Sequence, residues 1–139
     1  MIEDKGNFNV NKRQVAHNAR RFECGSPNML GIHALNASLT LIDEIGMPTI
    51  EQRVLQNTQS MLDEIDRQKN LDLVSPASLD RLAGIVTFKR RNYNHTELYK
   101  KLMQQNIMCA ERGGGIRFSP HFYTSQEKIL AAIDTATTI

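Results

Sequence analysis

Cysteine is scarce in this chain, and so is any excess of charge of one sign. Cys24 and Cys109 are the two cysteines among 139 residues, too few for a disulfide framework, and neither belongs to a CxxC or Cys/His spacing. Both read as buried free thiols. His17, His33, His95 and His121 are scattered with no i, i+4 pair, which argues against a zinc site. Seventeen basic residues against fifteen acidic ones leave a net charge of +2, without the dense positive footprint of a nucleic-acid partner. The one basic run, Lys89-Arg90-Arg91, reads as a solvated strand end. No apolar stretch reaches the roughly 20 residues that span a bilayer, and the N-terminal MIEDKGNFNVNKRQ is polar where a signal peptide is apolar. The expectation is a soluble, cytoplasmic protein with no membrane partner. Four prolines and eight glycines give no disorder or collagen bias, and no repeat or low-complexity stretch is visible.

What is present is enough for one ordinary domain with a real core. Residues 1 to 19 carry Ile2, Phe8 and Val15 as spaced apolar positions and read as an irregular lead-in. At Ser26-Pro27-Asn28 a cap begins the first strong element: Ser26 can accept from a free amide and Pro27 suits the first helical position. Leu30, Ala34, Ala37 and Leu41, with Leu35, Leu39 and Ile42, then recur at three- and four-residue steps until Gly46 closes the helix. So wide an apolar face predicts a largely buried helix. Thr49-Ile50-Glu51-Gln52 matches a capping box for a second helix, whose apolar face is Ile50, Val54, Met61, Leu62 and Ile65.

The period then changes. Leu71 and Leu73 alternate, and Gly84 to Phe88 is a β-branched run of strand length. Helix returns at His95 to Gln105, with Leu98, Leu102 and Met103 inward. Ile107 to Ala110 and Ile116 to Phe118 read as strands separated by Arg112 to Gly115, a loop and not a tight hairpin. A final helix after Thr124-Ser125 turns Ile129, Leu130, Ile133 and Ala136 inward. The resulting fold class is α+β: a small, mainly antiparallel sheet with helices packed on one face, preceded by a long helix.

Alternation along Gly115-Ile116-Arg117-Phe118-Ser119 sends Ile116 and Phe118 to the core and Arg117 away from it. A guanidinium fixed on a strand fits a carboxylate with two parallel hydrogen bonds; a surface salt bridge is the alternative. The Gly25-Ser26-Pro27-Asn28 turn could hold a phosphate at a helix N-terminus, or be ordinary helix punctuation. The triple glycine Gly113-Gly114-Gly115 lacks the Lys-Ser/Thr of a phosphate loop and opens a strand instead of a helix.

Three segments in order carry a family resemblance. Ala19-Arg20-Arg21-Phe22-Glu23-Cys24-Gly25-Ser26-Pro27-Asn28 resembles the "RFE-x-G-T-P-N" segment of class V aminotransferases and cysteine desulfurases. Gly84-Ile85-Val86-Thr87-Phe88 is similar to their "SGIVSF" strand, and Arg112 to Tyr123 resembles "RGG-x-R-x-SPHFYN". The resemblance implies the C-terminal portion of a fold-type I pyridoxal-phosphate enzyme acting on an amino-acid substrate, with a homodimeric parent. It divides the chain into a lead-in at residues 1–24 and a small domain at 25–139 that includes its leading helix. It puts Ser26, with Gly25 beside it, at the cofactor phosphate of the neighbouring subunit. It makes Arg117 the ligand of the substrate α-carboxylate, with Arg112 the next candidate.

The departures matter too. The Schiff-base lysine of the family, which makes the cofactor an electron sink for Cα chemistry, falls ahead of Met1. Lys5 and Lys12 lie too close to the turn and lack its usual neighbours, and the glycine-rich phosphate turn and ring-stacking residue of the large domain are missing as well. The desulfurase cysteine is absent from Arg112 to Gly115, which favours an aminotransferase, epimerase or lyase-like parent over a persulfide-forming one. Thr124 replaces an asparagine, a change that bears on the last helix cap. A catalytically inert, stand-alone binding domain derived from this fold is the competing expectation.

Overall fold

The computed structural model describes residues 14–23 and 25–139; Ile2, Lys5, Phe8, Lys12 and Cys24 lie outside them. The chain falls into two compact units, Met1–Glu44 and Ile45–Ile139.

The described part of the first unit has a short 3-10 turn at Ala19–Phe22, then α1 over Met29–Ile45. The side chain that caps α1 is that of Asn28, not Ser26: Asn28 Oδ1 accepts from Gly31 N at 3.0 Å. Asn28 sits directly against the first turn, within reach of the free amides, whereas Ser26 is two residues too early. Gly46, at φ 83°, ends the helix as expected. The expectation of a buried helix is overturned, for none of the residues of α1 is buried.

The second unit is α+β. α2 (Met47–Arg67) follows α1 after a single residue, Gly46, and starts earlier than the capping-box reading has it. That box does not form, because Thr49 is already inside the first turn. Pro48 sets the helical φ there instead, where a missing N–H costs nothing. The expected face is the buried one: Ile50, Met61, Leu62 and Ile65 are buried and Val54 is half-buried.

Four strands follow, β1 (Leu71–Leu73), β2 (Val86–Arg90), β3 (Ala110–Arg112) and β4 (Gly115–Phe118), with α3 (His95–Gln104) between β2 and β3 and α4 (Gln126–Thr138) at the end. They form one sheet in the order β1-β2-β4-β3, antiparallel throughout. β2 runs two residues later than the sequence reading: Gly84 and Ile85 precede it, while Lys89 and Arg90 belong to it. Arg90 is therefore no loose strand end; it donates to the carbonyl of Ile139 and lies 4.7 Å over the Tyr93 ring.

The segment read as a loop is a tight hairpin. β3 ends at Arg112 and β4 begins at Gly115, leaving Gly113 and Gly114 as the two turn residues, at φ 62° and 79°. Positive φ at both positions is what a type I′ hairpin requires and what glycine supplies without strain. Gly115 is needed for a different reason: a Cβ there would overlap the carbonyl oxygen of Phe88 on the neighbouring strand.

Helices cover one sheet face. Val86, Phe88, Ile116 and Phe118 point into a core completed by Met61, Leu62 and Ile65 of α2, Leu98 and Leu102 of α3, and Ile129, Ile133 and Ala136 of α4. The rings of Phe88 and Phe118 meet edge to face at 5.1 Å, a favoured aromatic geometry. About 25 cal/mol per Å² of apolar surface removed from water drives this packing.

Candidate functional site

The opposite face of the sheet holds Asp72, Thr87, Lys89, Arg112 and Arg117. Cross-strand partners share a face, and the register pairs Thr87 with Arg117, Ala110 with Arg117, Arg112 with Gly115, and Asp72 with Lys89. Arg117 is thus at the centre, on an inner strand between β2 and β3, with Arg112 on the same face at the hairpin end. Arg117 is half-buried and Arg112 is exposed.

Arg117 has one feature that sets it apart. Its Nε is buried and, among the described residues, is the buried side-chain nitrogen or oxygen that has no hydrogen-bond partner. Leaving such a donor unpaired costs about 1–3 kcal/mol, more for a charged group, so the position suits an incoming acceptor. An anion is the natural one, since the guanidinium is a cation with a planar fork of donors.

The neighbours of Arg117 are held in place through backbone bonds. Ser75 Oγ accepts from Thr87 N at 2.8 Å, while the Thr87 carbonyl accepts from Val74 N at 2.8 Å and Ser75 N at 3.0 Å. The chain just after β1 therefore clamps β2 at the residue opposite Arg117. Beyond β4, the turn over residues 119–125 is tied to α2, because Asn57 Nδ2 donates to the carbonyls of His121 at 3.2 Å and Thr124 at 3.1 Å. Thr124, the residue that departs from the family pattern, accepts from His121 N through its hydroxyl at 3.1 Å. The cap residue of α4 is Ser125, without a side-chain cap bond. His121 and Tyr123 stack at 4.8 Å on the outside of this turn.

The sequence reading missed Asn57 and Thr58, the two buried polar residues of α2. The Thr58 hydroxyl donates to the Ala83 carbonyl and so fixes the approach to β2. A signal existed: both residues occupy helical steps between Val54 and Met61, inside an otherwise apolar stripe.

Cys109 precedes β3 and is half-buried, less enclosed than expected. Burial alone raises its thiol pKa above the ordinary value, which lowers its thiolate fraction near neutral pH.

Gly25 and Ser26 belong to the other unit. Both are exposed, and Gly25 turns the chain at φ 67° just ahead of α1.

Residues 3–131 match the family model described as aminotransferase class-V. Over 116 residues the chain is 31% identical to the "Uncharacterized aminotransferase YcbU" of Bacillus subtilis, with 84% of this chain and 30% of that protein covered. It is 30% identical over 125 residues to the "Probable cysteine desulfurase" of Pyrococcus abyssi, covering 78% of this chain and again 30% of the relative. The chain thus spans under a third of the length of these relatives. Its fold is similar to part of a solved structure titled "Apo structure of Cysteine Desulfurase from Thermococcus onnurineus NA1": TM-score 0.82, 23% identity, 98% of this chain and 37% of that one.

Proposed function

The chain belongs to the class-V aminotransferase family, and from that membership we propose that it works as the C-terminal portion of a pyridoxal-phosphate enzyme acting at Cα of an amino acid. In this reading Arg117 grips the substrate α-carboxylate and Arg112 stands by at the rim of the same sheet face. The observation that carries it is the buried, unpartnered Nε of Arg117 on the open face. A carboxylate would supply the missing acceptor and could accept two parallel bonds from the planar fork.

Pyridoxal phosphate, when bound in a complete enzyme, supplies the electron sink for chemistry at Cα. The residues of this chain fit the substrate side of such a site. Arg117 binds and orients, which fixes the Cα bonds relative to the rest of the substrate, and the clamp on Thr87 and the Asn57 tie hold its strand from either side. Gly25 and Ser26 offer a hydroxyl and a turned backbone to the cofactor phosphate of the neighbouring subunit in a homodimeric parent. A hairpin of Gly113 and Gly114 with no cysteine, together with a Cys109 whose thiol pKa burial pushes up, favours transamination, epimerisation or a lyase reaction over persulfide formation.

The test is Arg117→Ala in the complete enzyme. A charge-assisted pair is worth about 1.5–3 kcal/mol, so the expected result is a ten- to hundredfold rise in KM for the amino acid. Cofactor absorbance and thermal stability should stay nearly unchanged, and Arg117→Lys should rescue poorly because a point charge lacks the fork. Wild-type kinetics, or a loss of stability like that of a core variant, would make Arg117 structural and move attention to Arg112. The competing reading, an inert binding domain, is separated by the reading frame upstream of Met1: a continuous frame encoding a cofactor lysine and an aspartate for the pyridine nitrogen excludes it.

A further inference from the structure

Charge on the face of the sheet opposite the helices is one-sided and unmatched. Lys89, Arg112 and Arg117 lie there, and Asp72 is the one strand carboxylate that shares the face. Asp72 is already engaged: Arg91 donates to its Oδ1 from Nε at 2.8 Å and from Nη2 at 2.7 Å. Glu111, the acid of β3, pairs across the sheet with Ile116 and so points to the helix side. There it accepts from the Thr96 hydroxyl at 2.7 Å and lies 3.3 Å from His95 Nε2. Among the described residues, no ion pair involves Lys89, Arg112 or Arg117.

The register arranges these three cations around one residue. Gly115 faces Arg112 on β3, and one step beyond the Phe88–Ile116 pair the same register brings Lys89 beside it on β2. Arg117 is the next residue of β4 on that face. With strands about 4.8 Å apart and a rise of about 3.3 Å per residue, the Cα atoms of Lys89 and Arg112 each stand about 8 Å from that of Arg117. Gly115 adds no side chain to the row and has no room for one, because a Cβ there would overlap the Phe88 carbonyl oxygen. β2 is held at this register by the Ser75 hydroxyl, which accepts from Thr87 N at 2.8 Å. Three long cationic side chains therefore flank one bare patch, within reach of two anionic groups on a single small molecule.

An α-carboxylate on Arg117 answers one of these charges through the buried Nε that has no partner. Lys89 and Arg112 are left facing whatever the substrate carries beyond Cα. A neutral side chain leaves both uncompensated, a cationic one is repelled, and an anionic one is attracted to both. We infer that the substrate is an amino acid whose side chain carries a second anion, a carboxylate or a phosphate, held by Lys89 and Arg112 while Arg117 takes the α-carboxylate. The inference rests on the reading of Arg117 as the α-carboxylate ligand. It gives Arg112 a task of its own, selection among substrates, with a planar fork on one side of the anion and the point charge of Lys89 on the other.

Titration of the 139-residue chain at constant ionic strength, followed by the NMR signal of the Arg117 Nε–H, tests this. The probes are L-alanine, L-lysine, L-aspartate, L-glutamate and O-phospho-L-serine. At least one acidic probe should bind about tenfold more tightly than L-alanine, each added cation contributing a few-fold as an exposed ion pair does. L-Lysine should bind more weakly than L-alanine. Which acidic probe binds tightest tells a carboxylate side chain from a phosphate. In the double variant Lys89→Gln, Arg112→Gln the ratio of acidic probe to L-alanine should fall to about twofold or less. Unchanged amide signals of Phe88 and Ile116 show that the variant keeps its sheet. Equal binding of all five probes, with the Arg117 signal shifting for each, overturns the inference and leaves the Arg117 reading standing. So does a preference for acidic probes that the double variant retains. An Arg117 signal that no probe moves sinks the Arg117 reading itself, and the inference with it.

Discussion

Two consecutive helices separated by one glycine meet opposite fates in this molecule. α2 has a single apolar stripe, and α4 and the sheet cover it. α1 has an apolar arc about twice as wide, and none of its residues is buried. Sequence periodicity states how much of a helix surface must leave water, but it does not name the surface that will receive it. For α2 the supplier lies within the same 139 residues. For α1 no residue is buried among the described residues.

The contrast can be tested hardest at the core that α2 completes. Phe88 is fully buried at the centre of the sheet and meets Phe118 edge to face. Phe88→Ala should cost about 3–5 kcal/mol through lost transfer energy and the cavity left behind, read as a lower denaturant midpoint in equilibrium unfolding. A loss under about 1 kcal/mol would mean that the sheet unit is not packed as described.

A polar residue on the covered helix gives the intermediate case. Asn57 lies in the α2 stripe and donates to two carbonyls of the turn after β4. Asn57→Ala leaves both acceptors short of a partner and should cost about 1–3 kcal/mol, with faster amide exchange at Thr124, whose N–H bonds to the His121 carbonyl in that turn. Asn57→Asp keeps the shape but not the donor, so it should not restore stability. If either change is neutral, the turn is held by something other than α2.

Much of this architecture could be read from residues. The stripe of α2, the inward positions of α3 and α4, and the outward direction of Arg117 all follow from period alone, since a regular element repeats its burial. The readings that failed involve choices between near-equal local options. Asn28 took the cap from Ser26 because two residues decide which side chain reaches the free amides. Gly113 and Gly114 form a two-residue hairpin because β3 starts later than its apolar run, and Glu111 and Arg112 look like loop residues until a partner strand pairs them. The open donor of Arg117 was beyond reach, because whether a buried nitrogen finds an acceptor depends on residues far away in sequence. Asn57 was legible in principle: a lone amide in an apolar stripe announces a carbonyl to be satisfied, without saying which.

The smallest effect is the one that sharpens the comparison most. Leu39 sits in the middle of α1 and is 55% exposed, so truncating it removes little buried surface, and alanine is a slightly better helix former than leucine. In the 139-residue chain, Leu39→Ala should therefore change the unfolding free energy by no more than about 0.5 kcal/mol, the range of an ordinary surface substitution. If a complete enzyme encloses the same leucine, the same substitution there should cost about 2–5 kcal/mol, as for a core leucine. The informative quantity is the difference between the two contexts, measured by equilibrium unfolding of each. Equal small losses in both would show that α1 stays at the surface even when the enzyme is whole. Equal large losses would show that the chain alone already buries it. Only a loss confined to the assembled form matches a helix whose apolar arc is covered outside the described residues.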